Sequence, residues 1–405
     1  MHEAGKARIF SQLFLNEEFT EVNSRLLKDK LTIAKKSGLE RLMIWSVEPR
    51  FLRPVVSICR GAGVSPHLWY PLLADTPVNF DTSAFEVTGI IERSESEILD
   101  YQKAGGEEFK FLCPNRVGEA PAFLDRFEEI INLADFDGVF LDRIRFPSPA
   151  NGIGEMLTCF CDTCKVKSHG LVSDFEKTFR AFIEELNTER ISSEVLRTIT
   201  EFRKTSTGFR EFRISSVLNL LSEYSRKARE KGLEVGVDLF SPSLADFVSQ
   251  DYGQISREVD WIKPMIYCKT MGPAGLPMEL LSLAKTLMKL VPEFSEKEAL
   301  KIISEFVGLA IPGSFDELTA DGIDQSNFSL ELDKIVRMSL SPSVKVFPGF
   351  EAVEIPPVCS IGTHEVKNYV ETTLEKGYYG FVLSWDIRHI QDSTLEYVGD
   401  LIESR

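Results

Sequence analysis

Cys159-Phe-Cys161-Asp-Thr-Cys164 is the densest concentration of reactive side chains in the sequence. Cysteines two apart close a disulfide only with poor geometry, whereas three thiolates at this spacing wrap readily round tetrahedral zinc. A fourth ligand is needed, and Cys113 and His169 are the candidates. The second concentration is Asp137-Gly-Val-Phe-Leu-Asp142-Arg-Ile-Arg-Phe-Pro147, an apolar run that ends in a carboxylate, two arginines and a proline. Read with period two, Gly138, Phe140 and Asp142 share one face and Val139 and Leu141 the other, as expected of a parallel strand buried on both sides. Asp142 then stands at the strand's carboxyl end, facing inward, and Pro147 stops the strand.

Positioning such a residue takes a parallel sheet, and the chain has the alternation that builds one. Strands are predicted at Arg8 to Leu15, Leu39 to Val47, Ser65 to Leu72, Gly138 to Asp142, Leu233 to Phe240, Val259 to Tyr267, Val344 to Gly349 and Gly380 to Trp385. Helical periodicity fills the intervals, for example Glu21 to Lys36, about Phe51 to Cys59, Ala120 to Leu133 and His364 to Glu375. Eight strands in this order make a (β/α)8 TIM barrel, read as one domain over residues 1–405. Long, largely helical insertions follow strands four and six, at 148–231 and 270–342. They lie on the catalytic face of a barrel and are expected to wall its cleft.

Strand parity also selects carboxylates. Val235, Val237 and Leu239 suit the helix-facing side, which turns Asp238 inward; Val344 and Val346 do the same for Lys345, Phe347 and Glu351. Asp386 follows the eighth strand, so Asp142, Asp238, Glu351 and Asp386 converge on one mouth. Glycoside hydrolysis needs two carboxyl groups flanking a bond whose transition state carries positive charge. The bland alternative is a buried ion pair with Arg143, Arg145 or Arg388. Aromatic faces suit the apolar face of a sugar ring. Trp69, Tyr70, Tyr267 and Trp385 are the candidates for such stacking, with Arg145 and Asp386 as polar contacts, while Trp45 and Trp261 read as core.

The string DGVFLDRIRFP resembles the fourth-strand motif of glycoside-hydrolase-like barrel proteins, an aspartate-glycine, three hydrophobic residues, then D-x-x-R-[YF]-P. Pro66-His-Leu-Trp-Tyr-Pro71, Val259-Asp-Trp-Ile-Lys-Pro-Met-Ile-Tyr267 and Gly380-Phe-Val-Leu-Ser-Trp-Asp386 resemble the same set in the same order. The resemblance implies a glycosidase barrel with Asp142 in its site. Leu-Cys113-Pro-Asn together with the cysteine cluster is similar to family-42 β-galactosidases, which pair a C-P-N cysteine after the third strand with C-x-C-x2-C after the fourth. That likeness implies one structural zinc held by Cys113, Cys159, Cys161 and Cys164. Those enzymes carry an acid/base glutamate after an asparagine on the fourth strand, and this chain has Leu141-Asp142 there. The zinc site is therefore carried over and the catalytic acid is not.

The expected activity is that of a glycoside hydrolase or transglycosidase on an oligosaccharide, with Asp142 as nucleophile or stabiliser, Glu351 as general acid/base and Asp238 in reserve. Arg143 and Arg145 flank Asp142 and would hold it ionised if either lies close; Glu351 follows Pro348-Gly-Phe, a less charged setting that raises a carboxyl pKa. The alternatives are a catalytically silent barrel that binds carbohydrate or a protein, and a non-glycosidic hydrolase. A net charge of −16, with basic residues interleaved among acids, argues against nucleic acid and anionic membranes as partners. No apolar run approaches the roughly 18 residues that span a bilayer. Without a secretory leader in view, seven cysteines point to thiols and metal in a cytoplasmic protein.

Overall fold

In a computed structural model, residues 7–15, 20–90, 110–186 and 192–404 are described. The acidic stretch read between Glu86 and Glu108 lies, from residue 91 on, outside them. The strands are β1 (Arg8–Leu15), β2 (Leu39–Ser46), β3 (Ser65–Pro71), β4 (Gly138–Asp142), β5 (Glu234–Phe240), β6 (Trp261–Met265), β7 (Lys345–Val346), β8 (Gly349–Glu351) and β9 (Gly380–Ser384). Every pairing is parallel, and β5 closes on β6, which makes an eight-stave barrel with helices between staves.

The seventh stave is where sequence and structure differ. A continuous strand is expected from Val344 to Gly349, but the stave is cut into β7 and β8 at Phe347-Pro348. Pro348 has no N–H to give a ladder. The neighbours still bond across the gap, Phe347 N–H to the Ile262 carbonyl at 3.0 Å and Val382 N–H to the Pro348 carbonyl at 2.9 Å.

The barrel interior is aromatic: Phe10, Trp45, Trp69, Phe140, Trp261 and Phe347 form one buried cluster with Met43 and Val382. Phe140 stacks on Trp261 with ring centroids 5.2 Å apart. Gly236 makes room for that indole, since a Cβ there would lie 2.0 Å from it. Trp45 and Trp261, read as core from the sequence, both belong to this cluster.

Two helical insertions extend from the carboxyl ends of β4 and β6. The first holds Leu171–Leu186, Ser192–Thr205 and Thr207–Glu230; the second holds Leu276–Leu290, Glu296–Val307, Phe315–Asp321 and Ser326–Val336. Leu171–Leu186 buries Val172, Phe175, Phe179, Phe182 and Leu186, an apolar stripe at helical spacing. Glu296–Val307 starts at a Ser295/Glu298 capping box and ends at Gly308, whose φ of 68° only glycine takes readily. The insertions touch through Ser192–Thr205 and Glu296–Val307. Glu279 ties them again: its buried carboxylate accepts from Ser148 Oγ at 2.9 Å and the Ala150 N–H at 2.8 Å. No described helix is long and apolar enough to cross a membrane.

Candidate active site and metal centre

Asp142 is the last residue of β4, and its register partner on β3 is Pro71. It is 8% exposed, and its Oδ2 accepts from Trp69 Nε1 at 2.9 Å while Oδ1 accepts from the Arg143 N–H at 2.6 Å. Just beyond it the backbone turns sharply, with Arg143 at φ 53°. The Arg143 guanidinium pairs with Asp75 and lies over Trp45 at 5.0 Å. Arg145 is buried between the rings of Phe111 and Phe240, at 4.5 and 4.4 Å, and donates to the Phe146 carbonyl.

Asp238, on β5, faces the same interior. Its Oδ2 is 3.0 Å from Lys263 Nζ, and that ammonium also donates to Gln12 Oε1 at 3.0 Å and Tyr267 Oη at 2.8 Å. Lys263 is fully buried, with its three N–H bonds all engaged. Gly349 permits this path, because a Cβ there would meet Lys263 Cε at 2.3 Å. Burial pushes the Asp238 carboxyl up to about 7; Lys263 opposes the rise and the nearby Asp142 charge adds to it.

Glu351 ends β8 and is completely buried. Its Oε1 accepts from the Lys269 N–H at 2.5 Å, and its Oε2 has no partner among the described residues. Burial raises this carboxyl to about 7 as well, against the backbone N–H bonds and the Lys269 charge that lower it. Tyr267 is buried and its phenol accepts from the same Lys263 ammonium that bonds Asp238. Its phenol is pushed well above the ordinary value by burial and then by the charges of Asp238, Asp142 and Glu351, with a hydrogen bond to Ser384 opposing.

Other expected site residues go elsewhere. Tyr70 is a correction: adjacent strand residues point to opposite faces, so with Trp69 inward Tyr70 turns to the helix layer, fully buried against Phe127 at 4.9 Å and Tyr224 at 6.2 Å. Asp386 realises the bland reading, clamped by Arg388 at 2.8 and 3.1 Å and bonded to the Phe14 N–H at 3.3 Å. Trp69 is 8% exposed and acts through its N–H on Asp142. Trp385 keeps a half-buried face beside Tyr267, edge to face at 6.4 Å. Sequence reasoning passed over Lys263 and Gln12. The signal for Lys263 was available, since period two on β6 puts it on the inward face with Trp261 and Met265.

The cysteines form a second constellation. The sulfurs of Cys113, Cys159, Cys161 and Cys164 all lie within 4.8 Å of one another and all four residues are buried. Cys113 Sγ is 3.8 Å from Cys161 Sγ and 3.4 Å from Cys164 Sγ. Zinc–sulfur bonds of about 2.3 Å in a tetrahedron place sulfurs about 3.8 Å apart, so the spacing fits one ion. Thr88 N–H to Cys159 at 3.3 Å and Asn115 Nδ2 to Cys164 at 3.3 Å supply the donors that orient thiolate ligands. His169 is exposed, so of the two candidates for fourth ligand the fold brings in Cys113.

No protein-family model and no curated protein matches this chain. Among solved structures it is similar to the PgaB (BpsB) glycoside hydrolase domain of Bordetella bronchiseptica, with TM-score 0.53 and 11% identity, covering 98% of this chain and 99% of that one. The catalytic domain of β-amylase from Paenibacillus polymyxa is similar too, with TM-score 0.51 and 11% identity over 98% of this chain and 97% of the other. These two neighbours are a glycoside hydrolase domain and a β-amylase. At these identities the likeness concerns the fold.

Proposed function

We propose that the chain is a glycoside hydrolase or transglycosidase acting on an oligosaccharide at the carboxyl-terminal mouth of its barrel. The observation that carries this is that Asp142, Asp238 and Glu351 are buried acids at or near the carboxyl ends of β4, β5 and β8, in unlike settings. Asp142 receives two N–H donors and takes the part of nucleophile or stabiliser. Glu351, raised to about 7 and with Oε2 free to carry a proton, takes the part of general acid/base. Asp238 is the weaker candidate for that part, because the Lys263 ammonium on its Oδ2 favours the carboxylate. Trp385 offers a partly open ring face to a sugar. The four cysteinates hold zinc as a structural ion, since four thiolates leave no position for substrate. Thiols kept for metal fit the reducing cytoplasm.

The test is a screen of aryl glycosides and oligosaccharides, with Asp142→Asn and Glu351→Gln as paired controls. Hydrolysis that both substitutions abolish in folded protein supports the reading. The runner-up is a silent barrel that binds carbohydrate, and the Lys263–Asp238 and Arg388–Asp386 pairs favour it by tying up two of the four acids. Saturable sugar binding without turnover, unchanged in both variants, would select that alternative.

A further inference from the structure

A chamber of about 380 Å³ lies between the two insertions and the loop after β5, and none of the barrel acids lines it. That is the size of a single small-ligand site. Its walls are dominated by hydrocarbon, including Phe175, Phe182, Phe202, Phe306, Leu283 and Leu287. Such a surface offers few hydrogen bonds to a sugar.

Into this apolar space the helix Thr207–Glu230 sends Arg213, which is 4% exposed. Its Nη2 donates to the carbonyls of Met156 at 2.9 Å and Phe247 at 3.3 Å, and its guanidinium lies over the Phe146 ring at 4.4 Å. Its Nε has no hydrogen-bond partner among the described residues. A buried cation that bonds neutral carbonyls and leaves one N–H unused is costly unless something anionic completes it. Burial pulls this guanidinium down to about 9, against the charges of Asp246, Cys159 and Cys164, which raise it.

Among the lining side chains, cations outnumber acids. Arg210 and Arg203, also on the chamber wall, share one carboxylate, Asp246, at 2.7 and 3.0 Å. Lys334 is matched by Glu331 at 2.8 Å. Three guanidiniums against Asp246 leave a local positive excess on a chain whose net charge is −16. An apolar chamber with one unsatisfied buried guanidinium and a positive rim is complementary to a molecule with one anionic end and a hydrocarbon body. A cationic amphiphile would meet repulsion from Arg203, Arg210, Arg213 and Lys334, and a neutral one would gain nothing from them.

We propose that this chamber binds an amphiphilic monoanion of the fatty-acid type, with its carboxylate on Arg213 and its chain among the phenylalanines. The site is separate from the barrel mouth, and its existence does not depend on glycosidase activity. The experiment is calorimetric titration of the intact protein with dodecanoate below its micelle concentration, beside dodecan-1-ol and dodecyltrimethylammonium. Dodecanoate should bind saturably at one per chain, at least about tenfold tighter than either comparison molecule. Arg213→Gln should erase that preference while leaving the weak alcohol binding in place. Should Arg213→Gln fail to fold, Arg210→Gln on the rim should weaken dodecanoate several-fold, and Leu287→Trp, which fills the chamber, should abolish binding of all three. Absence of saturable dodecanoate binding, equal affinity for the alcohol or the cation, or full dodecanoate affinity in Leu287→Trp would each overturn the proposal.

Discussion

Replacing Glu351 by glutamine tests the raised carboxyl without requiring a substrate. The glutamine keeps the shape of the side chain and is neutral at every pH. Burial lifts Glu351 from the ordinary 4.5 to about 7. Between those values the native protein keeps a proton that the unfolded chain has released. Stability therefore falls as pH rises through the window, and the loss is complete above about 7. At 1.36 kcal/mol per pH unit, the difference between 4.5 and about 7 amounts to about 3 kcal/mol. Glu351→Gln does not titrate, so its stability relative to the original protein should increase by about 3 kcal/mol between pH 4 and pH 8, then level off. Urea unfolding at a series of pH values, followed by tryptophan fluorescence with m-values checked for constancy, measures this directly. Taking the difference between two proteins cancels the other titrating groups. A gap that stays constant from pH 4 to pH 8 would refute the reasoning, because it would mean that Glu351 is not held protonated and is unsuited to act as an acid. If an activity is found, its alkaline limb should fall near pH 7 for the same reason.

Asp142→Asn should lower kcat/KM on a true substrate by at least about a hundredfold with an unchanged circular dichroism melt; full activity in that variant would remove Asp142 from the chemistry. Metal analysis of the purified protein should find one zinc per chain, and Cys161→Ser should lose the ion and lower the melting temperature, whereas zinc retained at full occupancy would count against the four-thiolate site. Lys263→Met leaves Asp238 buried without its cation and should cost about 3–5 kcal/mol in urea unfolding near pH 8; a loss below about 1 kcal/mol would show that the pair is open to water. Trp385→Ala should raise KM with little change in kcat if its ring binds ground and transition states alike, and a fall in kcat alone would place it in the reacting centre.

The barrel was legible because its signals are local. Period-two runs such as Gly138 to Asp142 and the helical stripe from Glu21 to Lys36 depend on near neighbours in the chain, and their bounds agree with β4 and the helix Glu21–Lys36. Parity alone placed Asp142, Asp238 and Glu351 on the inner face, and spacing alone marked three of the four cysteines. The break in the seventh stave was also written locally, in Pro348, although the strand was read through it. What one residue does to another across the fold was not legible. Arg143 adjoins Asp142 in sequence yet pairs with Asp75, while Lys263 lies 25 residues beyond Asp238 and meets it across β5 and β6. Tyr70 shared a motif with Trp69 and faced the opposite layer. Residue type alone left Cys113 and His169 both open as fourth ligand and the family likeness favoured Cys113; the fold brings Cys113 to the cluster and leaves His169 exposed. The chamber at Arg213 lies between insertions that meet only in three dimensions. Residue type and period are properties of the chain, so they determine elements and faces; distance, burial and the resulting shifts in pKa arise from packing between remote segments, and only the tertiary structure decides them.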